Sequence, residues 1–259
     1  MVAISFTSGK GGTGKTTIVL NVGAALANLG KKVTLVDADI LTHSLSVLCN
    51  LEEEKGLAEL FVNHRFPLTK AIHKHRSLEN LSIIPSSTSF DLFSRMKRLL
   101  KRKTFVSKRM NEISESSEYV LIDTPAGVGR EVLFAVSIGD CYCLVTETGP
   151  AEMEGALIID MLARAIGLES IGVIFNRVRE EPPEHLKPIC EESLGRILGF
   201  IPFDIRFIKA FEEREIFYLK YPKSYSSKKI KDVAQEIGEI INKRTQITLR
   251  PFTKQNRSD

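Results

Sequence analysis

A short apolar run, Val2 to Phe6, leads directly into Ser8-Gly9-Lys10-Gly11-Gly12-Thr13-Gly14-Lys15-Thr16-Thr17, and a helical pattern starts immediately after it. Gly9 to Thr16 satisfy the spacing G-x-x-x-x-G-K-[ST] between a strand and a helix, the context in which that spacing has a defined physical consequence. Glycines there let successive backbone N–H groups turn toward one centre, and the following helix adds its positive end, which makes the turn a concave anion site. The backbone of Gly11, Gly12, Thr13, Gly14, Lys15, Thr16 and Thr17 is expected to cradle phosphate, with Lys15 on the β- and γ-phosphates and the Thr16 hydroxyl on Mg²⁺. A second lysine, Lys10, stands too early in the loop to duplicate Lys15.

Two further elements suit the same chemistry. "EYVLIDTPAG" is an apolar strand that ends in Asp123, and the carboxyl ends of strands are where open α/β sheets bind ligands. Asp123 is therefore expected to support the metal through water, with 124–129 as a loop able to sense the γ-phosphate. "VTLVDADI" places Asp37 and Asp39 two apart after another strand, so both can enter the cleft. A carboxylate there can orient or deprotonate an attacking water, or hold the metal.

Strand-like runs at 2–6, 33–36, 81–84, 119–122, 141–145, 170–175 and 197–201 alternate with helical patterns at 16–29, 94–115, 151–166 and 228–242. Runs such as "YVLID" and "IGVIF" are apolar throughout, as in strands covered on both faces. The expected architecture is α/β, a doubly wound, mainly parallel sheet flanked by helices. It forms one domain over 1–243, followed by a polar tail at 244–259 that contains Pro251. No apolar run reaches membrane-spanning length, and the N-terminus has no leader pattern. Cys49, Cys141, Cys143 and Cys190 are too scattered for a disulfide framework, so a reduced, cytoplasmic setting is expected. Cys141 and Cys143 alternate on one strand and read as core residues, and His73 and His75 as a solvated helix end.

Charge is concentrated in one place. Residues 95–109, "RMKRLLKRKTFVSKR", carry eight Lys or Arg and no acid. Against a net charge of +4 for the whole chain, those eight leave −4 for the rest. Met96, Leu99, Leu100, Val106, Met110 and Ile113 fall on one helical face, which turns most of the basic residues outward. Such a face suits non-specific DNA, an acidic partner, an anionic surface, or simply water.

"KGGTGKTT" resembles the deviant Walker A box of the MinD/ParA group of P-loop ATPases, over residues 1 to about 240. Asp37-Ala38-Asp39-Ile40 and Asp123-Thr124-Pro125-Ala126-Gly127 are similar to the MinD form, where ParA-like proteins read D-x-D-P-Q. The resemblance implies an ATP- and Mg²⁺-dependent switch in which two ATP-bound copies meet face to face. In that arrangement Lys10 would reach the nucleotide of the opposite subunit. It also implies that Asn176 and Arg177 in "VIFNRV", and Pro202 and Asp204 in "GFIPFD", lie on the adenine side. A regulatory or cargo protein is implied as partner, its identity open. The chain departs from the group where MinD proteins read N-P-E-x-S-S, since it carries "TETGPAEMEGA". Residues 244–259 are poor in apolar residues, so no amphipathic membrane anchor is expected there. A ParA-like role on DNA and a carboxylate-phosphorylating synthetase of the same superfamily are the alternatives. A cluster-binding protein is disfavoured, because residues 124–139 contain no cysteine.

Overall fold

The computed structural model describes residues 1–40, 42–86, 103–179 and 186–248. At its centre, β1 (Val2–Thr7) pairs in parallel with β5 (Tyr119–Asp123) on one side and β6 (Cys141–Thr146) on the other. Outward from β5 follow β2 (Val33–Asp37), β4 (Leu78–Ile84) and β3 (His73–His75). Outward from β6 follow β7 (Ser170–Val178) and β8 (Ile197–Pro202). Every pairing is parallel except β3 with β4, which lies at the edge. The seven expected strands are all present. The eighth, "HKH", is an edge strand rather than the expected helix end: three polar residues with no apolar alternation carry no strand signal.

Successive side chains point to opposite faces, and the core divides accordingly. Ile4, Phe6, Leu35, Cys141, Cys143 and Val145 pack under α1 (Lys15–Asn28) and the last helix, α10 (Tyr225–Thr248). Tyr142, Leu144, Val173 and Phe175 pack on the other face, against α5 (Arg130–Ser137), α6 (Pro150–Ala165) and α7 (Leu186–Leu194). Beside them, Ala3, Val36, Val120 and Ile122 meet α3 (Leu57–Val62) and α4 (Lys103–Glu115). Short helices α2 (Ser44–Leu48), α8 (Arg206–Glu212) and α9 (Phe217–Lys220), with a 3-10 turn at Leu68–Lys70, complete the set described. The stripe Ile230, Val233, Ala234, Ile237 and Ile241 of α10 is buried throughout, as its spacing requires.

Two further expectations change. Helix α10 continues through Thr248, past the expected start of the tail at 244, and Arg244 Nη2 donates to Ser170 O at 3.2 Å. Residues 249–259 lie outside the described residues. So do 95–102, which hold most of the basic segment. Within its described part, Val106, Met110 and Ile113 do face the core, and Lys108 is exposed. Arg109, however, is buried: its guanidinium donates to the carbonyls of Leu60 and Phe66 and pairs with Glu112, so it serves the fold. Among the described residues, no helix is long and apolar enough to cross a membrane.

Candidate functional site

The parallel register gathers the carboxyl ends of β1, β2, β5, β6, β7 and β8 at one edge, with Asp37 directly opposite Asp123 and Val178 opposite Pro202. The turn after β1 lies there. Gly12 and Gly14 have φ of 88° and 79°, left-handed values that favour glycine, and Gly14 leads straight into α1. No side chain caps that helix, so its first N–H groups remain open to an anion.

Lys15 Nζ lies 2.6 Å from Asp123 Oδ1, both groups almost wholly buried. The other oxygen, Asp123 Oδ2, is buried without a hydrogen-bond partner. Thr16 lines the adjoining cavity. One hydroxyl and one unpartnered carboxylate oxygen are hard donors that suit Mg²⁺, which completes its shell with water and phosphate oxygens. No cluster of three or more His, Cys, Asp or Glu exists among the described residues to build an all-protein cage.

Asp37 is fully buried and turned from the cavity. Its Oδ2 accepts Ser46 N at 2.9 Å and Ser46 Oγ at 2.6 Å, and its Oδ1 accepts Asp39 N at 3.2 Å. Burial, and then the charge of Asp123, push its carboxyl up to about 7. The folded chain therefore holds this proton far more tightly than the unfolded chain, whose Asp titrates near 4. That contribution is full below pH 4 and is lost as pH rises through 7. We expect the stability difference between wild type and Asp37→Asn to fall by about 1.4 kcal/mol per pH unit between those limits. Urea unfolding at several pH values, without nucleotide, measures it; a flat difference contradicts it.

Asp39, half-buried, lines the cavity and accepts Thr42 N at 3.1 Å and Thr42 Oγ1 at 2.6 Å. Asn176 and Arg177 grip the phosphate loop itself: Asn176 Nδ2 donates to Thr13 O at 2.7 Å and Arg177 Nη1 to Gly12 O at 2.6 Å. Arg177 has φ of 53°, an uncommon value for a non-glycine residue, and is tied to Glu147 Oε1 at 3.1 Å. Pro202 and Asp204 line the far end, where the Asp204 carboxylate holds Arg206 and Ser226 Oγ. The Arg206 guanidinium keeps that carboxyl below its ordinary range.

The phosphate loop, Asp39, Asn176, Arg177, Pro202 and Asp204 line one cavity of about 860 Å³, within the size range of cofactor sites. Its far end is apolar, lined by Phe203, Phe207, Ile208 and Phe211, with the Arg179 guanidinium 5.9 Å from the Phe203 ring centroid. Sequence reasoning missed the apolar residues of this end, Phe203, Phe207, Ile208 and Phe211, and also Glu147, Ser46 and Glu152. The two glutamates were visible only as the departure "TETGPAEMEGA". Lys10 does not line the cavity: its Nζ lies 3.0 Å from Glu152 Oε1, and the side chain is 46% exposed. Cys141 and Cys143 are buried, their thiols raised by desolvation, Cys141 to about 12. His73 Nε2 lies 3.2 Å from Lys55 O at the sheet edge.

The fold and the loop define a phosphate-loop nucleotide-binding domain, and residues 1–167 match the family described as AAA domain. The septum site-determining protein MinD of Bacillus subtilis is 30% identical over 92% of this chain and 90% of its own length. An uncharacterized ATP-binding protein of Methanocaldococcus jannaschii is 32% identical over 91% of this chain and 87% of its own length. The structure of MinD from Pyrococcus horikoshii complexed with Mg-ADP superposes with a TM-score of 0.82, at 26% identity, covering 94% of this chain and 98% of that one. The chain belongs to the MinD/ParA family of P-loop ATPases.

Proposed function

We propose that the chain is an ATP-hydrolysing switch whose ATP-bound copies join through the nucleotide face and position a cellular cargo, as the septum-site names of its relatives suggest. The observation that carries the reading is the division of labour between two lysines in one loop. Lys15 lines the cavity and pairs with Asp123, while Lys10 is outside the cavity lining, pairs with Glu152 and is 46% exposed, which supports a role toward a second molecule.

ATP binding would place phosphate oxygens on the backbone N–H groups of Gly11 to Thr16 and draw Lys15 from Asp123 to the β- and γ-phosphates. Thr16 and, through water, Asp123 would hold Mg²⁺, which neutralises charge on the transferring group. Asn176 and Arg177 would keep the loop in its binding shape, and the apolar end beyond Pro202 would take the base. Asp39 would position the water whose oxygen bonds to the γ-phosphorus as the bridging bond to ADP breaks. Asp37, held by Ser46, fixes the turn that presents Asp39. Lys10 of the opposite copy would add positive charge where negative charge develops, the role an arginine finger has when supplied in trans. Hydrolysis would then separate the copies.

A site completed by a second copy makes hydrolysis cooperative in protein. Phosphate release per chain is expected to rise with chain concentration and then level off. Specific activity that stays constant from nanomolar to tens of micromolar contradicts the shared site.

A further inference from the structure

The phosphate loop meets α6 backbone to backbone. A Cβ at Gly9 would stand 1.9 Å from Gly155 O, so no side chain fits between the two. That contact sets Glu152, nearly one helical turn before Gly155, beside Lys10, the residue after Gly9. It accounts for the 3.0 Å ion pair of Lys10 with Glu152. Glu152 is itself held: its carbonyl accepts Thr146 Oγ1 at 3.0 Å, and its carboxylate folds over Gly149, where a Cβ would meet Oε2 at 2.2 Å. A carboxylate in the first turn of a helix is also favoured by the helix dipole. The Lys10 ammonium draws the Glu152 carboxyl below its ordinary range. The lysine thus has a prepared seat on its own chain, built from the segment that departs from the MinD pattern.

Resting on the reading that Lys10 serves a second copy's triphosphate, we propose that Glu152 is a positioning residue that seats Lys10 in the single chain and must release it when two copies join. Glu152 thereby sets the concentration of ATP-bound chain at which dimers form. The pair is partly exposed, so it is weak enough for a triphosphate to displace. An ion pair of this kind favours its closed state by about 1.4- to five-fold. Two pairs open per dimer, so removing both tightens the dimer by about two- to twenty-five-fold.

The test is the dimer dissociation constant in saturating Mg-ATP on an Asp39→Ala background, measured by sedimentation for Glu152→Gln and Glu152→Ala. Both variants are expected to tighten the dimer. The gain should shrink as salt screens the parent's ion pair, and it should vanish when Lys10→Ala is added. Thermal unfolding of each variant confirms that the chain remains folded. An unchanged or weaker dimer, or a gain that persists without Lys10, overturns the role given to Glu152. Lys10→Ala alone reports on the underlying reading: if it dimerises like its parent, Lys10 does not act in trans. If it stays monomeric while the Glu152 variants match their parent, only the seat is wrong.

Discussion

Lys15→Ala should abolish measurable nucleotide binding and, unusually for a ligand-site substitution, lower the stability of the empty chain by about 3 kcal/mol or more. The first effect follows from removing the only cation placed at the phosphate position of the loop among the residues that line the cavity near it. The second follows from the 2.6 Å pair with Asp123, a residue with no solvent exposure and one oxygen already unpartnered. Removing one member of a buried pair leaves the other as an uncompensated charge, which costs more than the pair contributes. The two effects separate in the double variant. Lys15→Ala with Asp123→Asn should regain most of the lost stability yet still fail to bind ATP. Calorimetric titration and urea unfolding of the three proteins measure both. Equal stability of Lys15→Ala and wild type would show that the pair does not hold in solution.

Gly9→Ala should be nearly as damaging, though it changes no charge. The added Cβ would lie 1.9 Å from Gly155 O, 2.0 Å from its carbon and 2.5 Å from its Cα, all backbone atoms that cannot rotate aside. Overpacking a core with side chains costs about 1–3 kcal/mol, and a clash with backbone lies at or above the top of that range. The loop or α6 must move, and with it the N–H groups that bind phosphate. The reciprocal change, Gly155→Ala, meets Gly9 only at 3.2 to 3.4 Å and is expected to be much milder. Thermal unfolding and ATP titration of the two variants measure the contrast; comparable losses would place the two segments further apart than 1.9 Å implies.

The parts of the site legible in the sequence are those whose roles are fixed by neighbouring residues. Gly12 and Gly14 take left-handed φ within the turn that their spacing announces, and Asp123 ends its strand where the apolar run stops. Parallel strands covered on both faces give continuous apolar runs, so all seven were readable, and so was the stripe on α10. What escaped depends on contacts between distant segments. Asn176 reaches Thr13 across 163 positions, and neither residue's neighbours indicate that the asparagine holds a loop carbonyl. Asp37 and Asp39 look equivalent as "DAD", but β2 ends at Asp37, which is buried on Ser46, and the chain has left the strand by Asp39, which lines the cavity. Phe203, Ile208 and Phe211 resemble core residues by type, yet each is about half exposed at the cavity rim, which only the placement of α8 reveals. Arg109 misled in the opposite direction: inside a basic run it reads as surface charge, whereas the Leu60 and Phe66 carbonyls draw it inward.

The central claim is that ATP joins two copies and that Lys10 is what each copy offers the other. Sedimentation velocity of Asp39→Ala with Mg-ATP, beside the same chain carrying Lys10→Ala, tests it most directly. The expected result is a species of twice the chain mass for the first protein and a monomer for the second, both with nucleotide bound. Monomers in both, or dimers in both, would contradict it.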